Sequence, residues 1–291
     1  MGTKLANNVN NIGSGLVISK NANLFEVESS GQIYSLKPSG KTKAGGIFVG
    51  DQVEFNEVIT SVKKRKNILI RPPVANIDKM LIVIAPSPKP DFALVDKLIV
   101  YCHLNDITPI IIVNKNDLCN DDFVKNVKNA YEKHYKVIFT SAKNSNLEEI
   151  EKEIDGICVL AGQSAVGKSS MINAIFKKEN LAETGSLSAR VERGKQTTRL
   201  VRLYKVQNGY IADTAGFSLL DLSFVGNIEP NELASYYPDF LEGRAKCKYR
   251  SCTHEGGECG VIADVKNENI SKMRYENYLK ILEELKLAKK Y

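Results

Sequence analysis

Up to about Arg71, short apolar runs rich in β-branched and aromatic residues (GLVIS, LFEVES, QIYSL, DQVEF) alternate with Gly-, Asn- and Ser-bearing breaks, including the glycine-rich KPSGKTKAGG. This pattern predicts a small antiparallel barrel of the OB type. Pro72 and Pro73 disfavour continued regular structure and mark a boundary. Beyond them the period changes. Near-continuous apolar runs (MLIVIA, PIIIVN, KVIFTS, ICVLAG) alternate with helical segments such as FALVDKLIVYC and DFVKNVKNAYEKH, which predicts a parallel sheet covered on both faces. After about Leu222 strand signals fade, and a charged C-terminal segment carries Tyr275, Tyr278, Ile281, Leu282 and Leu285 at helical spacing, a stripe that reads as core. The expected division is a barrel over residues 1–71, an α/β domain over 72–222 and a mostly helical domain over 223–291.

Composition adds little to this until charge and cysteine are considered. With 43% hydrophobic and 25% charged residues the chain reads as an ordinary soluble protein. No apolar stretch approaches the roughly 20 residues needed to span a bilayer, and the N-terminus MGTKLANNVNN lacks the apolar segment of a secretory signal. A cytoplasmic protein without a membrane partner is expected, and with no long heptad repeat, a monomer. The net charge of +6 and pI of about 8.8 favour a polyanionic partner such as RNA. In the barrel region, Lys41, Lys43 and the Lys63–Lys66 run KKRK are the cations that would meet it, the alternative being a solvated β domain used only as a spacer. Cys102, Cys119 and Cys158 are scattered singly, whereas Cys247, Cys252 and Cys259 gather around His254, which in a cytosolic chain suggests metal over disulfides.

GQSAVGKSS matches G-x-x-x-x-G-K-[ST] and lies between the apolar ICVLA and the helical SSMINAIF, the context that this phosphate-binding loop requires. Gly162, Gln163, Ser164, Ala165, Val166 and Gly167 would turn backbone N–H groups toward phosphate oxygens at a helix N-terminus. Lys168 would reach the β- and γ-phosphates, the Ser169 hydroxyl would ligate Mg²⁺, and Ser170 closes the motif.

The base is specified elsewhere. NKND, following the apolar PIIIV, has the N-K-x-D form that recognises guanine: Asp117 would accept from N1 and the exocyclic amine, Asn114 would tie the base to neighbouring loops, Lys115 would lie along the ring, and Asn116 belongs to the same motif. A buried polar site built for one donor pattern rejects the wrong base because its own groups are otherwise left unpaired. Ser141, Ala142 and Lys143 form the S-A-K element expected near guanine O6. DTAG supplies a second switch, with Asp213 holding Mg²⁺ through water and the Gly216 N–H sensing the γ-phosphate. The first switch falls in RGKQTTR, where Thr197 or Thr198 supplies a Mg²⁺-binding hydroxyl, Thr198 being preferred. Arg193, Arg199 and Arg202 flank it and read either as phosphate contacts or as solvated charges. Base recognition thus precedes phosphate binding along the chain. Because such pockets form from loops at the carboxyl ends of parallel strands, spatial arrangement and not chain order decides whether the site is complete.

CKYRSCTHEGGEC reads C-x4-C-x-H-x4-C, and three thiolates with one imidazole suit tetrahedral Zn²⁺ with no open position for chemistry. Together, RPPVANID, NKND ahead of GQSAVGKSS, DTAGF and the Cys/His cluster resemble the circularly permuted, ribosome small subunit-dependent GTPases. The resemblance covers nearly the whole chain. It implies an OB barrel, a permuted P-loop GTPase core and a zinc domain, with Zn²⁺ and Mg²⁺–GTP or GDP as cofactors. It further implies the small ribosomal subunit and its rRNA as partners, hydrolysis stimulated by the subunit late in its maturation, and departure favoured by GDP. Two positions depart from the family. Its zinc loop usually has one more residue before the final cysteine, which makes Cys259 the ligand to examine, and its usual histidine before the Thr-Thr pair is here Gln196. Phe217 follows DTAG where Ras-like enzymes place a water-orienting glutamine, so Gln196 is read either as the residue that positions the attacking water or as a surface loop residue. The competing expectation is a GTP-sensing RNA-binding factor with negligible hydrolysis.

Overall fold

The computed structural model describes residues 12–70, 73–144, 147–178, 201–213 and 228–288. The chain divides into two compact units, the first drawn from Met1–Lys79, Glu148–Leu160 and Ile172–Phe217, the second from Met80–Leu147, Ala161–Met171 and Ser218–Tyr291.

In the first unit, β1 (Gly13–Asn21), β2 (Leu24–Ser29), β3 (Gln32–Pro38), β4 (Gln52–Phe55) and β5 (Val58–Val62) form a closed circuit. β1 pairs with both β2 and β4, β2 with β3, β3 with β5 in parallel, and β5 with β4. Alternation along these strands turns Val17, Phe25, Val27, Leu36, Val53, Phe55 and Ile59 into one core. A short helix, α1 (Gly40–Gly45), connects β3 to β4 and is capped by Ser39. The predicted barrel is therefore present, with β5 as a strand beyond the four apolar runs that predict it. Only Asn56 and Glu57 separate β5 from β4, so that polar pair marks a tight connection and not the end of the sheet.

Regular structure resumes at Pro73 itself, contrary to the expectation from the proline pair. β6 (Ile68–Ile70) pairs antiparallel with β7 (Pro73–Ala75), and Pro73 takes the first strand position, where a missing N–H is tolerated.

The α/β region supplies β8 (Lys79–Ile84), α2 (Phe92–Leu104), β9 (Thr108–Val113), α3 (Asp121–Tyr131), β10 (Lys136–Phe139), α4 (Glu148–Lys152), β11 (Asp155–Ala161), α5 (Lys168–Lys178), β12 (Arg202–Val206) and β13 (Asn208–Asp213). Three of the four near-continuous apolar runs are buried strands, as their composition predicts, whereas in β10 only Ile138 is buried. β9 and β10 pair in parallel, as do β11 and β13. The sheet is nonetheless mixed, because β12 runs antiparallel to β13 and to β1. That hairpin is attached to the barrel by more than backbone. Lys205 Nζ lies 3.4 Å from Glu28 Oε1, and the Tyr210 hydroxyl bonds to Glu28 Oε2. Arg202 Nη1 lies 2.7 Å from Glu26 Oε2, which makes a local carboxylate the partner of this switch-flanking arginine.

At the C-terminus, α6 (Leu241–Ala245) brings Gly243 close to Val261 of α7 (Gly260–Lys266), and α7 and α8 (Lys272–Ala288) share a core with Leu233, Tyr237 and Phe240. Tyr278, Ile281, Leu282 and Leu285 of the predicted stripe are buried there, with Tyr275 packed against them. No helix among the described residues is long and apolar enough to cross a membrane.

Candidate functional site: nucleotide loops and a Cys/His centre

The loops predicted to hold base and phosphates all lie within the second unit. The Gly162–Gly167 loop leaves β11 and turns into α5. Gly162 has φ +126°, and a Cβ there would stand 2.2 Å from the Val83 carbonyl oxygen. Gly167, at φ +97°, would place a Cβ 2.2 Å from Asn114 Nδ2. Only glycine fits both the dihedrals and the close approaches. Lys168 folds over the loop, its Nζ donating to the carbonyls of Gly162 and Gln163, each at 2.7 Å. Burial lowers its pKa from the ordinary lysine value. Ser164, Ala165, Ser169 and Ser170 are exposed, and Val166 is buried beneath them.

Asn114 holds three segments together. Its backbone N–H donates to Ile84 O (2.8 Å), its Nδ2 to Val166 O of the phosphate loop (2.8 Å), and its Oδ1 accepts from the Ala142 N–H (3.0 Å). It is itself buried. Lys115 adopts φ +58° and donates from Nζ to Ser87 O at 2.7 Å and Ala165 O at 3.0 Å. The Asn116 N–H donates to Thr140 O at 3.0 Å, tying the turn to the end of β10. Asp117 is exposed, and its Oδ1 accepts from the Ser141 hydroxyl at 2.7 Å, which holds this carboxyl below its usual range. Lys143 stands exposed beside this group. The order of loops along the chain is thus reversed, yet the loops meet.

Asp213 ends β13, whereas Arg193, Gln196, Thr197, Thr198, Arg199, Gly216 and Phe217 lie outside the described residues. On the barrel, a groove of about 430 Å³ is lined by Lys41, Lys63, Lys64 and Arg65, among others. Arg65 is committed internally, bonding both oxygens of buried Asp51 (2.7 and 2.8 Å) and stacking on Phe48, and Lys66 pairs with Asp78. Lys41, Lys63 and Lys64 are exposed.

The Cys/His cluster is assembled. The candidate ligand atoms of Cys247, Cys252, His254 and Cys259 all lie within 4.8 Å of one another. Cys259 Sγ is 3.8 Å from Cys247 Sγ, 4.0 Å from Cys252 Sγ and 3.3 Å from His254 Nδ1, so the contracted spacing still delivers the last cysteine. Tetrahedral zinc with Zn–S near 2.3 Å requires ligand separations of roughly 3.5–3.8 Å, close to these distances. Burial and the Arg244 charge lower the His254 pKa to about 4, keeping the imidazole neutral as a ligand must be. The loop is fastened to α8, where the Tyr275 and Tyr278 hydroxyls donate to His254 O (2.7 Å) and Thr253 O (2.9 Å).

A third cluster escapes the sequence reading. Arg274 is fully buried and bonds Asp96 of α2 and Asp239, the latter at 2.8 Å, beneath the rings of Tyr131, Tyr135 and Tyr237. The two remaining histidines lie near it in structural roles, His134 Nε2 at 3.8 Å from Asp239 Oδ1 and His103 Nε2 at 3.2 Å from the Tyr135 hydroxyl.

A phosphate-loop motif and a guanine-type loop joined through one asparagine, in inverted chain order, define the class as a circularly permuted P-loop GTPase fold. Comparison with known proteins narrows this. The family profile described as RsgA GTPase matches residues 62–223. "Small ribosomal subunit biogenesis GTPase RsgA 2" of Oceanobacillus iheyensis is 40% identical, over 94% of this chain and 98% of its own. The RsgA of Staphylococcus carnosus is 36% identical over 94% and 97%. Among solved structures, YjeQ from Thermotoga maritima superposes with TM-score 0.79 at 33% identity, covering 94% of this chain and 98% of that one. YloQ, described as a circularly permuted GTPase, gives TM-score 0.79 at 29% identity over 97% and 98%. The chain belongs to the RsgA GTPase family.

Proposed function

We propose that this protein hydrolyses GTP in a reaction stimulated by the small ribosomal subunit, and that it acts late in that subunit's maturation in the cytoplasm as a monomer. The observation that carries the reading is the pair of Asn114 side-chain bonds, to Val166 O and from the Ala142 N–H, which join guanine-type and phosphate-type loops in one unit. In this reading the chain works as three domains, residues 1–71, 72–222 and 223–291, with barrel and metal domain as RNA-contacting arms. Asn114, Lys115, Asn116 and Asp117 with Ser141, Ala142 and Lys143 hold guanine, and Gly162 to Ser170 hold the phosphates. Mg²⁺, held by Ser169, Thr198 and water on Asp213, would neutralise phosphate charge. Water attacks the γ-phosphate in line, with Lys168, loop amides and the Gly216 N–H stabilising the transition state. Zn²⁺ at Cys247, Cys252, His254 and Cys259 has a structural role.

Multiple-turnover phosphate release with and without small subunits tests this, using Lys168→Ala as the inactive control and ATP as competitor. Strong stimulation confined to GTP and abolished by the substitution is the expected result. Tight GTP binding without stimulated release would favour the nucleotide-sensing factor, which the apolar Phe217 at the usual glutamine position otherwise recommends.

Gln196 is assigned to orient the attacking water. A carboxamide donates and accepts hydrogen bonds but does not titrate near neutral pH. Gln196→Ala should therefore lower subunit-stimulated turnover by about 10²-fold, within the range for a lost water-positioning or acid–base group. A wild-type stimulated rate in that variant would remove the assignment.

A further inference from the structure

We propose that the turn Lys248–Ser251, held between two candidate metal-ligand cysteines, is a stacking platform for an unpaired RNA base, with Tyr249 as the ring and Lys248 and Arg250 as the phosphate contacts. The inference deepens the proposed function, since it assigns a ligand chemistry to one of the two RNA-contacting arms.

The starting observation is an exposed aromatic ring in a module rich in packed ones. Tyr237, Phe240, Tyr275 and Tyr278 pack against one another or against His254. Tyr249, only two positions after Cys247, is 65% exposed, and the neighbour over its ring is Lys248 Nζ, 5.7 Å from the centroid. The turn that presents it is fixed at both ends. Cys247 and Cys252 belong to the metal cluster, and the Cys252 N–H donates to Tyr249 O at 3.2 Å. A backbone turn already held in place loses little conformational freedom when a ligand stacks on the ring it presents.

Charge selects the partner. Residues 244–250 read RAKCKYR, with four cations and no acid. Lys246 is committed to Asp264 at 3.0 Å. Lys248 and Arg250 are exposed, and among the described residues neither forms an ion pair with an acid. A single exposed ring flanked by two cations matches a base with a phosphate on either side, because every base offers a π-face and the backbone supplies the counter-charge. An apolar protein surface would leave both cations without partners, so RNA is favoured over a protein contact.

The chain contains no tryptophan, so Tyr249→Trp installs a single tryptophan at the site, whose emission is excited selectively over that of the tyrosines. That variant is titrated with a single-stranded RNA of about 16 nucleotides and with a blunt duplex of the same sequence, and small-subunit binding is measured for wild type, Tyr249→Ala and Tyr249→Phe. Quenching by the single strand and not by the duplex is expected. Tyr249→Ala should weaken subunit binding about 5- to 100-fold, the range for loss of one base stack, while Tyr249→Phe, metal content and GTP affinity stay at wild-type values. Wild-type subunit affinity in Tyr249→Ala overturns the inference. So does weakened affinity without quenching by single-stranded RNA, which would mark a protein contact. If single-stranded RNA quenches the Tyr249→Trp reporter but the wild type does not bind subunits, the platform stands and the functional reading falls. If neither occurs, both fall.

Discussion

Asp117→Asn is expected to lower GTP affinity by about 10²- to 10⁴-fold, the range for replacing two hydrogen bonds to a charged acceptor with a poorly matched amide. The carboxylate accepts from two guanine donors. Asparagine offers one acceptor and a pair of donors, so its NH₂ faces a guanine donor. Xanthine carries a carbonyl where guanine has its amine, and the same NH₂ can donate to it. The variant should thus bind xanthosine triphosphate better than GTP, measured by competition with a fluorescent nucleotide. The preference of the wild-type site for GTP over ATP should stay constant as pH falls from 7.5 toward about 5.5, since the two terminal phosphates protonate alike while an ordinary aspartate titrates near 3.9 and the Ser141 hydroxyl lowers Asp117 further. Undiminished GTP binding by Asp117→Asn would remove the base-recognition role from NKND and leave the phosphate loop unable to discriminate nucleotides.

The legibility of this site follows from how local its chemistry is. Each loop is a short stretch whose residue types are dictated by one backbone turn and one ligand edge, so GQSAVGKSS, NKND and SAK stand out wherever they fall. The bonds that assemble them do not. Asn114 to Val166 spans 52 positions and is visible only once the strands are in place. Buried strands are legible because an apolar run such as MLIVIA has few alternatives, while β5, β6 and β7 are short and lie among polar residues. The antiparallel β12 is hidden for another reason: period-two alternation reports burial, not strand direction. Arg274 is the deepest omission. It sits in KMRYENYLK, where nothing distinguishes a buried arginine from its solvated neighbours, although the lone acid inside the apolar FALVDKLIVYC is a signal that something cationic must reach it.

That buried charge leads to the second large effect. Arg274→Met should destabilise the protein by about 3–5 kcal/mol, the penalty for removing one partner of a buried ion pair and stranding the other. Arg274→Lys should recover only part of the loss, because an ammonium cannot span Asp96 and Asp239 as the guanidinium fork does. The pH dependence distinguishes a stranded charge from simple loss of packing. Burial raises the Asp96 pKa to about 6, against the lowering effects of Arg274 and the Tyr131 hydroxyl. A folded pKa above the unfolded one, near 3.9, means that the native state binds the extra proton, so this contribution is present at low pH and is lost as pH rises through the folded value. Removing Arg274 takes away the largest influence opposing that rise. The folded pKa of Asp96 then climbs further, and the deficit of Arg274→Met relative to wild type should widen between about pH 5.5 and pH 8 in urea unfolding followed by circular dichroism. A deficit of the same size at both pH values would instead assign the loss to the three tyrosine rings that the guanidinium covers.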